Sequence, residues 1–362
     1  MIEVNSINGQ RQYSLGIVEG FYGRGWSWRD RSDYARLMPE MGLNSYLYAP
    51  KSDPYLRKLW RKHWPEDEWK SLQKFSSECR SNEIWWGLGL SPFELYRNYD
   101  NSSKIQLREK ISRINELKPD LIAVLFDDMH GEQIDLANRQ YQIVNDICEQ
   151  SDASRILVCP TYYSYDLALE KFFGQMPKDY WKDLGDLMPK EVELLWTGNQ
   201  VCSNSISAND LKGIAEKFQR LPTLWDNYPV NDGRKGCNYI NLKPLSARDL
   251  QLGKDIQGHF CNPMNQPNLS RMPLASLATL HNDGSPSISS YMQTLLDYAG
   301  ISVAAQLAED MSVFQEQGLD GISDKQLTHY KNVYGQNQSA SAKEVVQWLN
   351  GEFTFDPECL TG

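Results

Sequence analysis

Apolar residues along the chain fall into two alternating patterns. Short continuous runs, rich in branched side chains, predict strands buried on both faces, whereas apolar residues spaced i, i+3, i+4, i+7 predict amphipathic helices. The runs are Leu15–Glu19, Asn44–Ala49, Ile84–Leu90, Leu121–Asp128, Arg155–Cys159, Glu193–Trp196, Thr223–Trp225 and Gly258–Cys261. The first helix shows Tyr34, Leu37, Met38 and Met41 on one face. The second opens at Pro65 with Glu66, Asp67 and Glu68 in its first turn, where the helix dipole favours acid. A third buries Leu107, Ile111 and Ile114 before Pro119, and a fourth spans about Ile134 to Cys148. Ser207 and Asp210 form a capping box ahead of Leu211, Ile214, Ala215 and Phe218. After the seventh strand the chain reads as loop to about Pro244, and a last helix lies near Leu274 to Leu280.

Eight strands alternating with helices over about 270 residues predict an α/β fold, a (β/α)₈ TIM barrel. An open doubly wound sheet is the competing arrangement, but no strand is followed by Gly-x-Gly-x-x-Gly or a Walker loop. From about Ser285 the pattern is helical only: Ile288–Tyr298, Val303–Phe314, Gln326–Val333 and a last helix with Ser341 and Glu344 as a capping box. The expected organisation is a catalytic barrel over 1–283 followed by a small C-terminal helical bundle over 284–362. The bundle is either structural or a homodimer surface, and the sequence does not choose.

Composition narrows the function classes. A hydrophobic fraction of 41% and a charged fraction of 23% describe an ordinary globular chain. The net charge of −10 argues against nucleic acid, anionic membranes and polyanions as main partners. No segment approaches the ~18 apolar residues of a membrane helix. The start, Met1 to Gln10, lacks the basic and apolar regions of a secretory signal. Seven cysteines without CxxC spacing indicate neither a disulfide framework nor a zinc site. The expectation is a cytoplasmic protein without metal or cofactor. Eleven tryptophans and nineteen tyrosines are numerous; most belong in cores, and some suit the apolar faces of sugar rings.

Candidate chemistry gathers at strand ends, where a barrel places its site. Asp127 and Asp128 end the most apolar run in the chain. As a bland pair they would cap a helix and bind water. As a functional pair they cannot both ionise freely, so one pKa rises and the two supply an acid and an anion, the requirement of glycoside cleavage. Side chains alternate along a strand, so the chain must bend at Phe126–Asp128 for both to reach one pocket.

The strand-end motifs Val-Glu-Gly-Phe-Tyr-Gly (18–23), Tyr-Leu-Tyr-Ala-Pro-Lys (46–51), Leu-Phe-Asp-Asp (125–128), Cys-Pro-Thr-Tyr-Tyr (159–163), Leu-Trp-Thr-Gly (195–198), Trp-Asp-Asn (225–227) and Asn-Pro (262–263) resemble the catalytic domain of glycoside hydrolase family 84. That family holds the protein O-GlcNAcases and bacterial β-N-acetylglucosaminidases called hyaluronidases. The resemblance covers roughly residues 14–282. It implies a retaining reaction in which the substrate's own 2-acetamido group is the nucleophile, passing through an oxazoline. Asp127 then resembles the residue that polarises the acetamido group, and Asp128 the general acid and base. Tyr22, Cys159 and Trp225 resemble the walls of the acetamido methyl pocket. Gly20 (through its carbonyl), Lys51, Asn227, Asp232 and Asn262 resemble the hydroxyl ligands; Tyr163 resembles a tyrosine near the reacting centre and Val201 an apolar contact. The implied partner is a GlcNAc-bearing glycoprotein or a small glycoside.

Two other readings stay open. Asp127, Asp128 and His130 could ligate a metal, although three ligands so close on one loop seldom give a good geometry. The chain could also act on a glycan chain such as peptidoglycan or hyaluronan fragments, or bind GlcNAc without cleaving it.

Overall fold

The computed structural model describes residues 13–284, 287–353 and 356–360. Residues 1–12, read above for a leader, lie outside them. The eight predicted strands form as β1 (Ser14–Glu19), β2 (Ser45–Tyr48), β3 (Trp85–Leu90), β4 (Leu121–Leu125), β5 (Arg155–Cys159), β6 (Glu193–Trp196), β7 (Thr223–Asp226) and β8 (Gly258–Cys261). Each pairs in parallel with its neighbour in the chain, and β1 closes against β8 with Ser14 opposite Gly258. The result is a closed (β/α)₈ barrel. Every residue of β4 is buried, as a run without a polar side chain requires between the barrel interior and the helix layer. Full burial of each such Leu, Ile or Val contributes roughly 1.5–3 kcal/mol.

The outer layer consists of helices Trp28–Leu37, Glu66–Ser81, Asn101–Asn115, Leu136–Gln150, Ala168–Phe173 with Tyr180–Leu187, Ala208–Phe218 and Pro267–Asp283. The box of Ser207 and Asp210 closes as expected, each bonding to the other's backbone. After β7 a single helical turn, Gly233–Gly236, replaces a full helix. No helix among the described residues is long and apolar enough to cross a membrane.

Three local expectations change. The fourth strand stops at Leu125, because Phe126 still donates to the Cys159 carbonyl but Asp128 turns into the left-handed region at φ 55°. The helix behind it begins at Leu136, leaving Ile134 97% exposed on the connecting loop. The last helix, Ala340–Leu349, is capped by Ser339, whose side chain accepts from the Ala342 N–H. Ser341 and Glu344 do not form a box. Glu344 turns inward and accepts from the backbone N–H groups of Asn268 and Leu269, both at 2.9 Å, at the start of helix Pro267–Asp283. Unpaired N–H groups and a positive dipole end attract a carboxylate more strongly than its own helix does.

That contact docks the C-terminal helices on the barrel. Helices Ile288–Ala299, Ile301–Ser312, Asp324–Gly335 and Ala340–Leu349 surround a second hydrophobic core. It also includes Ile240 and Leu242 from the β7–β8 connection, Met264 from the loop after β8, and Leu269 and Met272 from the barrel's last helix.

Candidate active site

The strands deliver their C-terminal residues to one end of the barrel. There a cavity of about 510 Å³, open mouth included, is lined by Gly20, Tyr22, Lys51, Asp127, Asp128, Cys159, Tyr163, Val201, Trp225, Asn227, Asp232 and Asn262. All twelve residues named from the sequence therefore meet. Thr197, Cys202, Val230 and Cys359 complete the lining.

The left-handed turn at Asp128 performs the bend that strand alternation demanded, and both carboxylates reach the cavity. Asp127 is 6% exposed, and its Oδ2 pairs with the Lys51 ammonium. Its Oδ1 is buried without a hydrogen-bond partner among the described residues. Asp128 accepts from the Tyr22 hydroxyl at 2.6 Å and from the Tyr163 hydroxyl at 3.4 Å. Burial pushes the Asp128 carboxyl above its ordinary pKa, and the charge of Asp127 adds to that, while Lys51, Arg57 and the Tyr22 hydrogen bond oppose it. Desolvation thus leads, with like-charge repulsion second.

The far wall is preassembled. Trp225 Nε1 donates to Asn227 Oδ1 at 3.0 Å, Asn262 Nδ2 donates to the same oxygen at 3.0 Å, and Asn227 Nδ2 donates to the Val201 carbonyl at 2.8 Å. The Gly20 N–H donates to Asn262 Oδ1 and the Tyr22 N–H to Asp232 Oδ2, at 3.1 and 2.7 Å, tying the end of β1 across the barrel. A Cβ on Gly20 would lie 2.3 Å from the Trp225 ring, so only glycine lets the indole lie against this backbone. Burial raises the Asp232 carboxyl to about 6.

Below the wall, Asp226 holds Arg248 through both oxygens, at 2.8 and 3.0 Å, and His259 at 3.1 Å. Burial works against this carboxylate, but Arg248 keeps it ionised, with a pKa of about 2. Asp226, His259 and Cys261 stand close enough to share a cation. The guanidinium on both Asp226 oxygens fills that role, and Arg248 also bonds the Ser203 and Asn204 carbonyls beside Val201 and Cys202. His130 is exposed and lies outside the cavity lining, apart from the aspartate pair.

Sequence reasoning missed four lining residues. Thr197 directly follows β6 within the Leu-Trp-Thr-Gly motif and could have been found by the strand-end rule alone. Cys202 and Val230 sit on loops with no chemical signature. Cys359 arrives from the C-terminal stretch, which is also held at the barrel mouth by Asp356 on the Gly23 N–H (3.3 Å) and by a Lys58–Glu358 ion pair.

The comparisons agree on one family. The profile of the beta-N-acetylglucosaminidase family matches residues 15–316. The protein O-GlcNAcase of Mus musculus is 29% identical over 286 residues, 76% of this chain and 31% of that protein. Its Rattus norvegicus counterpart is 29% identical over 281 residues, 75% of this chain and 30% of that protein. This chain thus spans about a third of the length of these relatives. A mutant of the Thermobaculum terrenum O-GlcNAc hydrolase superposes with a TM-score of 0.77 at 26% identity, over 93% of this chain and 80% of that one. CpGH84B, at 23% identity and a TM-score of 0.74, over 93% of this chain and 66% of that one, speaks for the fold alone. With its profile match running through the whole barrel, the chain belongs to the beta-N-acetylglucosaminidase family, glycoside hydrolase family 84.

Proposed function

We propose that this chain is a retaining β-N-acetylglucosaminidase that removes terminal β-linked GlcNAc, with the substrate's 2-acetamido group as nucleophile. The observation that carries this reading is Asp127 Oδ1, a buried carboxylate oxygen without a hydrogen-bond partner among the described residues, on a residue that lines the same cavity as the raised carboxyl of Asp128. An unpaired buried acceptor costs about 1–3 kcal/mol, and an amide N–H from the substrate offsets that cost.

In the first step Asp127 takes the proton of the acetamido N–H as the acetamido carbonyl oxygen attacks the anomeric carbon. The bond to the leaving oxygen breaks as Asp128 gives that oxygen its proton, leaving an oxazoline. In the second step Asp128, now ionised, takes a proton from water, which opens the oxazoline from the face the aglycone left, while Asp127 returns its proton to the nitrogen; the original configuration is restored. Tyr22, Cys159 and Trp225 enclose the methyl group. The Gly20 carbonyl, Lys51, Asn227, Asp232 and Asn262 bind the hydroxyls, Tyr163 steadies the reacting centre beside Asp128, and Val201 packs against the sugar. Lys51 also pairs with Oδ2 of Asp127, leaving Oδ1 for the amide. GlcNAc on a glycoprotein or a small glycoside is the substrate we favour, consistent with the names of the mouse and rat relatives.

A second reading, action on a longer glycan, draws on one feature. A wider polar cleft shares Cys202, Asn227, Val230 and Asp232 with the cavity and continues past Tyr239 and Lys243.

Both readings are tested by hydrolysis of an aryl β-N-acetylglucosaminide beside the matching glucoside, and of a GlcNAc-modified peptide beside a chitin oligosaccharide. Cleavage of the acetamido sugar alone is expected. Asp127→Asn and Asp128→Asn each lower turnover by about two to four orders of magnitude, the worth of a positioned acid or base, and Asp128→Asn loses least with a good leaving group. Equal losses on good and poor leaving groups would reverse the assignment of roles. Binding without cleavage by folded protein would leave a GlcNAc-binding module.

A further inference from the structure

The loop after β2 carries a cation that the reaction scheme leaves unused. Asp53, 8% exposed, accepts from the Tyr55 N–H at 2.9 Å, the Trp64 indole at 2.8 Å and the Tyr48 hydroxyl at 3.1 Å, and so folds the stretch that follows it. That fold sends Arg57 inward, behind the aspartate pair. Arg57 is 8% exposed and its guanidinium lies over the Phe93 ring, 5.0 Å from the centroid. Its Nη2 donates to the backbone carbonyl of Asp128 at 3.1 Å. Its Nε and Nη1 are buried without hydrogen-bond partners among the described residues.

This is a poor way to build a structural arginine. Buried guanidinium groups are normally fully bonded, and each unmet buried N–H costs about 1–3 kcal/mol. A neutral side chain of similar length would pack on Phe93 without that cost. What it could not do is bond the carbonyl of a residue held at φ 55°, in the left-handed region that few residues other than glycine, asparagine and aspartate adopt, while leaving a positive charge beside it.

We infer that Arg57 is the positioning residue of Asp128: bonded to the Asp128 carbonyl, it fixes the left-handed turn that aims the carboxyl into the cavity and keeps a cation behind the pair. The inference rests on the reading of Asp128 as acid and base. The groups facing that carboxyl from the surrounding elements are Tyr22 from the loop after β1, Lys51 and Arg57 from the β2 loop, Asp127 beside it, Cys159 at the end of β5, Tyr163 from the loop after it and Asp232 after β7; Glu358 in turn faces Arg57. Burial and Asp127 raise the Asp128 carboxyl, and Arg57 joins Lys51 in drawing it back. Asp128 must be protonated to act first and must then stay ionised long enough to take a proton from water. A cation on the carbonyl side assists the second requirement without blocking the carboxyl.

The test is the pH dependence of kcat/KM for the full chain on aryl β-N-acetylglucosaminides with a good and a poor leaving group. The limb on the alkaline side reports deprotonation of Asp128. Arg57→Met removes the charge and the bond; the alkaline limb moves up by about one pH unit, as loss of a nearby opposite charge dictates, and the rate on the poor leaving group falls about 10- to 100-fold. Arg57→Gln keeps a donor but no charge: its limb moves likewise with a smaller rate loss, and it serves if the Met variant does not fold. Arg57→Lys keeps the charge, so its limb stays in place while the rate falls. An unmoved limb in folded Arg57→Met and Arg57→Gln, with equal losses on both leaving groups, would overturn the inference and leave Arg57 a packing residue. Asp128→Asn separates the two claims: if it retains the alkaline limb, the acid/base reading fails, whatever Arg57 does.

Discussion

At the scale of single residues, the cavity depends on contacts too close for ordinary substitutions. Gly20→Ala would place a Cβ 2.3 Å from a ring that Asn227 holds by its indole nitrogen. Neither the β1 backbone nor the anchored indole yields freely, so we expect the Trp225 wall to shift. KM for the acetamido substrate should rise at least about tenfold, with about 1–3 kcal/mol of stability lost to overpacking. Kinetics and a urea titration on one preparation check both numbers; an unchanged KM would mean that Trp225 does not bound the acetamido site. Most of these residues were legible because a barrel brings strand ends together, and each named residue follows a strand closely in sequence or lies on the next loop. Arg57 was not legible. Within Pro54–Trp64 it is one of several basic side chains, and nothing local separates the one that turns inward from those left in solvent, such as Lys58.

At the scale of elements, the same difficulty appears in caps and loops. Ser207-x-x-Asp210 and Ser341-x-x-Glu344 look alike in sequence, yet only the first closes on itself. The second was misread because Glu344 has a better partner in another helix, and a local pattern cannot register a distant set of unpaired N–H groups. The loop after β2 carries its own test. Asp53→Ala leaves three buried donors without their acceptor and should cost about 2–4 kcal/mol, read as a lower urea midpoint. A cost below about 1 kcal/mol would mean that the aromatic packing of Tyr48, Tyr55 and Trp64 holds the loop without the carboxylate. Because the same loop delivers Arg57, the Asp53 variant should also show the raised alkaline limb expected of Arg57→Met.

At the scale of the whole molecule, two cores meet across the barrel's last helix, and the carboxylate joining them is buried. Burial raises Glu344 from its ordinary 4.5 to about 7, against the hydrogen bonds from Asn268 and Leu269 that favour its charge. Between those two values the folded chain binds more protons than the unfolded one, so folding is favoured below pH 4.5 and this contribution is lost as pH rises through 7. From pH 5 to pH 8 the wild type should therefore lose up to about 3 kcal/mol relative to Glu344→Gln, which does not titrate there. Paired urea titrations at the two pH values isolate the term, since other groups cancel in the difference. A constant difference would show that the helix N-terminus keeps Glu344 ionised in both states.

The alternation of apolar runs and periodic segments determined the eight strands, their order and the barrel, because a strand buried on both faces reads as a mostly apolar run and a helix packed on one side as a single apolar stripe. The strand-end motifs determined which residues would meet. Only the tertiary structure decided how they meet: that Asp128 bends into the left-handed region, that Lys51 takes one oxygen of Asp127 and leaves the other unmet, that Arg57 stands behind the pair, that Cys359 reaches the rim from the C-terminal stretch, and that Glu344 caps a helix outside its own. Periodicity is a property of neighbours along the chain, whereas each of these contacts is settled by competition among groups that are distant in sequence and adjacent only once the barrel has closed.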